Sequence, residues 1–254
     1  MAKGWRVAAA LAAVAAVAGC ASVPDRAAPS SVGLFSTGVP GGALPAGWRP
    51  WTLSALKKPT EYELVSNHGT TVVRASAVAS ASGLVHPLDL DPRAYPLLNW
   101  RWRVDDLIEK ADNTRKHTED SPLRILVSFR GDVEKLPLSD RIFFDNMRLL
   151  TGHRMPYATL VYIWENRAPV GTVIPNLHTP RVKMIVARSG PDGLGAWQDV
   201  TRNVVEDFRR AFGEEPGPVT SVGIMTDTDN TGTEARGYYG DIAFRPARLT
   251  IATE

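Results

Sequence analysis

TSVGIMTDTDNTGTEARGYYGDIAFRP, residues 220–246, decides how the rest of the chain is read. Val222 and Ile224 precede a crowd of acids and small polar residues, and Ile242 and Phe244 follow it at the alternating spacing of a half-buried strand. The stretch therefore predicts strand, loop, strand. The loop and its shoulders hold Asp227, Asp229, Asn230, Thr231 and Glu234, with Asp241 after Tyr238 and Tyr239. No other stretch is as dense in oxygen ligands, and two strands would hold it still.

The same period of two recurs on the N-terminal side. Leu98, Trp100, Trp102 and Val104 alternate with Asn99, Arg101 and Arg103, and Leu123, Ile125, Val127 and Phe129 alternate with Arg124, Ser128 and Arg130. Val182, Met184 and Val186 repeat the pattern, and 160–164 is apolar throughout, as a strand covered on both faces requires. Tyr62 and Leu64 face Val72 and Val73 across Asn67-His68-Gly69, a hairpin signal, and 76–84 is small and tolerant of a strand. Three segments break the pattern. Residues 104–111 predict one or two helical turns, 139–150 a helix capped by Ser139, and 201–212 an amphipathic helix stopped by Gly213. Eight or nine strands with two or three short helices, in a body of roughly 210 residues, predict a mainly β protein: a two-sheet antiparallel jelly-roll-like sandwich. No GxGxxG follows a strand and no phosphate-loop lysine is present, so nucleotide-binding α/β folds are excluded.

At the N-terminus, Lys3 and Arg6 precede an apolar run, Val7 to Ala18, which is short for a membrane span and suits a secretory signal. It ends in Val17-Ala18-Gly19-Cys20, which resembles the lipobox of bacterial lipoproteins, and Cys20 is the only cysteine. The expectation is a signal peptide over 1–19, a lipidated Cys20, a Ser/Pro/Gly/Ala-rich tether over 20–45 and one domain over 46–254. Ala21, where sorting by analogy would otherwise find an aspartate, favours the outer membrane, facing the periplasm. The 29 Lys and Arg, less the two in the signal, equal the 27 Asp and Glu. A formally neutral body gives no support to a nucleic-acid partner. With no second cysteine for a disulfide, stability has to come from a packed core.

Asp227, Asp229, Thr231 and Gly232 stand at relative positions 1, 3, 5 and 6 of a calcium loop, but position 12 would be Tyr238 in place of the bidentate glutamate. Two readings stay open: a calcium site of another type, closed by Asp241 or Glu234, and a turn in which these side chains bond their own backbone. A second polar cluster, Asp112, Asn113, His117, Glu119 and Asp120, matches no metal motif and reads as a solvated loop. Tyr162 and Trp164 share one strand face. If exposed, they would offer a stacking surface for sugar rings, with Glu165, Asp227, Asn230 and Tyr239 to bond hydroxyls; if not, they are core. Glycoside cleavage would need Glu165 and an aspartate flanking one bond. A GxSxG elbow is absent, and the lipid consumes Cys20.

Ser80-Ala81-Ser82-Gly83-Leu84, Trp100 to Val104, Ala211-Phe212-Gly213, Met225 to Thr231 and Tyr239-Gly240-Asp241-Ile242 together resemble the bacterial domain-of-unknown-function 3047 family, from about Trp48 to Phe244. That resemblance implies no activity. The aromatic residue followed by Gly-Asp-Ile is more loosely similar to jelly-roll carbohydrate-binding modules. The expected function is a lipid-anchored envelope protein whose sandwich binds a glycan-type ligand without transforming it. The alternatives are a glycan-acting hydrolase or lyase using Glu165, and a structural envelope protein that docks another protein.

Overall fold

A computed structural model describes residues 30–52, 54, 56–151 and 154–247. Cys20 and the signal segment lie outside them. Thirteen strands and two α-helices run along the described chain in the order β1 (Ser30–Val32), β2 (Arg49–Thr52), β3 (Glu61–Asn67), β4 (Thr70–Val78), β5 (Ala81–Leu90), β6 (Leu97–Val104), β7 (Ser121–Phe129), α1 (Leu138–Thr151), β8 (Ala158–Glu165), β9 (Val173–Pro175), β10 (Val182–Ser189), β11 (Gln198–Asn203), α2 (Val204–Phe212), β12 (Val219–Asp227) and β13 (Glu234–Arg245).

They form two sheets. One has the order β11-β6-β13-β4-β3, with β1 also on β13; the other has the order β2-β5-β12-β7-β8-β10-β9. Apart from β8 and β10, which run parallel, the paired strands are antiparallel. The sandwich predicted from alternation is therefore present, with one parallel pair that alternation cannot reveal. The predicted acidic stretch does not close a simple hairpin. β12 belongs to one sheet and β13 to the other, so the loop at 228–233 crosses between layers.

Alternation places Leu98, Trp100, Trp102 and Val104 of β6 against Leu123, Ile125, Val127 and Phe129 of β7 in one core, with Tyr162 and Trp164 between them. Rings fill much of it: Trp100 lies 5.1 Å from Tyr162, and Phe129 lies 4.7 Å from Phe208 of α2. In β13 the register shifts between Tyr239 and Ile242. That bulge keeps both residues in the core, where strict alternation would have sent one of them outward. The second sheet also has a small apolar cluster outside the main core, formed by Val161, Ile163, Ile174, Met184 and Val186.

The turn at 68–69 has φ of +49° at His68 and +80° at Gly69. Positive values at both central residues are what the favoured two-residue hairpin turn demands, and Gly69 adopts its value without steric cost. α2 starts later than 201. Asn203 caps it by accepting from the amides of Val205 (3.1 Å) and Glu206 (3.2 Å), while Thr201 remains in β11. Gly213, at φ +72°, ends it as expected. α1 matches the helix predicted over 139–150 but begins at Leu138, so Ser139 lies inside its first turn and is not the cap. Residues 105–111 form bends and turns in place of the predicted helical turns. Ser30–Val32 pair with Phe244–Ile242, so the folded body begins inside the segment read as tether.

The sandwich has two distinct ends. Phe129, Ala158, Leu97, Asn203, Phe244 and Ser30 lie at one, which also carries α1 and α2. Ser121, Glu165, Val104, Asp227 and Glu234 lie at the other, the acidic end.

Candidate functional site

At the acidic end the last residue of β12 meets the start of β7. Buried Asp227 accepts from the Ser121 amide (3.0 Å) and from Arg124 Nε (2.8 Å). Arg124, itself buried, also donates to the Glu119 carbonyl (3.2 Å) and lies 3.6 Å from the Glu119 carboxylate. Asp120 is 0 % exposed and fastens the 228–233 loop: it accepts from the amides of Asn230 (3.3 Å) and Thr231 (2.7 Å) and from the Thr231 hydroxyl (2.6 Å). Asp229 is paired with Lys57. One oxygen from each of Asp120, Asp227 and Asp229 lies within 4.8 Å of the others. Burial is the main influence on Asp227, and with the nearby Asp120 charge it outweighs Arg124, raising the carboxyl to about 6.

The expected metal set is thus only partly assembled. Asp227 and Asp229 come together with Asp120, which the sequence had placed in a solvated loop, because β7 starts beside the end of β12. The Thr231 hydroxyl is engaged by Asp120. Asp241 lies elsewhere, on the bulge of β13, where it accepts from the Ser36 amide (2.9 Å) and hydroxyl (2.6 Å) and ties down the N-terminal segment. Three carboxylates converge, a donor set of the hard oxygen type that a divalent cation takes, while Glu119 is engaged by Arg124 and Asn176.

The expected ligand-stacking set does not form a surface. Tyr162 and Trp164 are 0 % exposed, because β8 is covered on both faces; Tyr162 donates to Asp207 (3.0 Å) and Trp164 Nε1 to the Gly190 carbonyl (3.1 Å). Tyr239 is equally buried, donating to the Met225 carbonyl (2.6 Å) and receiving the Arg124 amide (3.2 Å). Glu165 caps the turn after β8 through the amides of Arg167 and Ala168, so its carboxylate is spent locally. Asn230 is exposed, and its side chain donates to the Glu119 carbonyl (3.0 Å).

A different face gathers ligand-competent groups. On the outer side of the β11-β6-β13-β4-β3 sheet, register sets Glu63, Arg74, Tyr238 and Arg103 in one row across β3, β4, β13 and β6. Arg103 lies over the Tyr238 ring at 4.3 Å, and one position along, Arg101 lies over Trp197 at 4.8 Å. Gly240 permits this: a Cβ there would come within 2.4 Å of the Arg101 side chain. Trp197, just before β11, donates through Nε1 to Asn67 at the tip of β3 (3.0 Å). These residues belong to opposite ends of the strand order, which a flat five-strand sheet would hold roughly 19 Å apart. Trp197 precedes β11, so its side chain lies across the outer face, against Arg101, and reaches the far edge. Arg74 Nε and Asn99 Oδ1 are buried on this face and have no hydrogen-bond partner among the described residues. An open depression of about 560 Å³, lined in part by Asp106, Leu107, Leu194 and Glu234, lies at its acidic end.

Sequence reasoning singled out Arg101 and Arg103 as the reverse of the tryptophan row but missed Trp197 and Asn67. They are 130 positions apart, and no local signal joins them.

The architecture is that of a two-sheet β-sandwich whose outer face is crossed by Trp197 and whose acidic end is fastened by hydrogen bonds and ion pairs. The chain belongs to the family described as a protein of unknown function, DUF3047, whose model matches residues 46–243. No curated protein matches it. Among solved structures it is similar to the family 11 carbohydrate-binding module of the cellulosomal cellulase Lic26A-Cel5E of Clostridium thermocellum, at 10 % identity and a TM-score of 0.43, covering 86 % of this chain and 95 % of that one. It is also similar to the family 30 module of the C. thermocellum cellulase Cel9D-Cel44B, at 11 % identity and a TM-score of 0.39, covering 78 % and 91 %.

Proposed function

We propose that the protein is a lipid-anchored envelope protein, held at the outer membrane through Cys20, whose sandwich binds a glycan-type ligand on the outer face of the β6/β13 sheet and does not transform it. The observation that carries this reading is the set of groups gathered on that face. Trp197 offers a half-buried ring, Arg74, Arg101 and Arg103 are guanidinium groups held by Glu63, Asp199 and Asp105, and Arg74 Nε and Asn99 Oδ1 have no hydrogen-bond partner among the described residues. Sugars are recognised by this combination, rings against C–H faces and fixed donors and acceptors against hydroxyls. The test is calorimetric titration of the protein with a neutral β-glucan, a uronate polymer and soluble peptidoglycan fragments. At least one should bind, and Trp197→Ala should weaken that binding about tenfold or more in a variant whose circular dichroism matches the wild type.

Calcium at the acidic end is a second, separable part of the reading, favoured by the three converging carboxylates. Asp120, Asp227 and Asp229 would hold the ion, and it would displace Lys57 and stiffen the 228–233 loop. Millimolar calcium should then raise the thermal midpoint of the wild type but not of Asp229→Ala; equal midpoints with and without calcium would remove the ion from the account.

A further inference from the structure

Three exposed apolar side chains lie on one stripe of α1. Leu138 is 68 % exposed, Ile142 51 % and Leu149 83 %. At about 100° per residue the three fall within an arc of roughly 40°. The opposite side of the helix turns Phe144 into the body, so the helix is seated by one face and bare on the other. Arg141, which pairs with Glu134, and Arg148 lie along one margin of the stripe, with Asp145 between them and it.

The position of the helix names what covers it. α1 joins the Phe129 end of β7 to the Ala158 end of β8. At that same end β1 begins, with Ser30 opposite Phe244. The chain from Cys20 to Ser30 spans at most about 33 Å when fully extended. A lipid on Cys20 is therefore attached to the body at this end of the sandwich, and not at the acidic end. Leucine and isoleucine side chains with arginines at their margin match the boundary between acyl chains and phosphates, where the guanidinium groups reach headgroups and the apolar stripe sits just below them.

We propose that α1 is a membrane-resting helix: the Leu138, Ile142 and Leu149 stripe lies on the surface of the bilayer to which the N-terminal lipid is attached and orients the sandwich with its acidic end outward. This rests on the lipid-anchor reading of Cys20 and adds to it a fixed orientation. One lipid chain alone would leave the body free to tumble on its tether, whereas a second, shallow contact fixes its tilt.

The test uses the full-length lipidated protein in vesicles of phosphatidylethanolamine and phosphatidylglycerol, with the lipid on Cys20 verified by mass. Amide hydrogen exchange across α1 should be about tenfold slower there than in the Cys20→Ser chain in solution, and Leu149→Ser in the lipidated protein should return most of that protection. If Cys20 carries lipid and exchange in α1 is unchanged by vesicles, the helix contact is wrong while the anchor stands. If Cys20 carries no lipid, anchor and contact fall together. If the Cys20→Ser chain shows the same protection as its concentration rises, the stripe is covered by a second copy and the membrane contact is refuted.

Discussion

Replacing Asp120 by alanine should be among the most damaging single changes at the acidic end. Its carboxylate is fully buried and accepts from two backbone amides and one hydroxyl of the 228–233 loop. Hydrogen bonds to a charged acceptor contribute about 1.5–3 kcal/mol each, and a buried donor left unpaired costs about 1–3 kcal/mol. Asn230 is exposed and Thr231 half-buried, so water can satisfy part of what is lost. Relief of repulsion between Asp120 and Asp227 offsets a further share. The net expectation is a loss of about 2–4 kcal/mol. Asp229→Ala removes only a pair with Lys57, whose side chain is 40 % exposed, and should cost about 1 kcal/mol or less. Urea unfolding of the two variants beside wild type, with slopes compared to confirm a common unfolded state, reads the difference. Equal losses in the two variants would refute the view that Asp120 is the fastening point of the loop.

Asp227 makes stability depend on pH. Its folded value of about 6 lies above the ordinary 3.8, so its contribution is fully present below about pH 4 and is lost as pH rises through about 6. A difference of roughly two units corresponds to about 3 kcal/mol, and Asp227→Asn should flatten that slope in urea unfolding between pH 4 and 7; an unchanged slope would assign the titration elsewhere. In the core, Phe208 is 0 % exposed and stacks on Phe129 and Phe212, so Phe208→Ala should lose about 3–5 kcal/mol. Ile142→Ala on the bare side of α1 should stay within about 0.5 kcal/mol in solution.

Much of the scaffold was legible in the chain because strand burial is written at period two. β6 and β7 read directly from Trp100, Trp102, Ile125 and Val127, and the Asn67-His68-Gly69 turn from the need for positive φ. What escaped depends on contacts between layers. The 220–246 stretch reads as strand, loop, strand, but nothing local shows that its two strands belong to different sheets. The bulge before Ile242 leaves no local mark, nor does the pairing of Ser30–Val32 with β13. The site was less legible for the same reason. Tyr162 and Trp164 have the composition of a sugar platform, but a strand covered on both faces buries them, as the unbroken apolar run over 160–164 already implied. Asp120 entered the acidic cluster from the loop before β7, and the groups on the outer face are joined by Trp197 reaching Asn67 across the width of a sheet.

Ligand binding at the outer face of the β6/β13 sheet is the most direct measurement. Wild type and Trp197→Ala, both shown to be folded by circular dichroism, should be titrated against the same three glycans. A ligand bound by the wild type and weakened about tenfold or more by the substitution is the expected result. No glycan bound by either protein, or one bound equally by both, would contradict it.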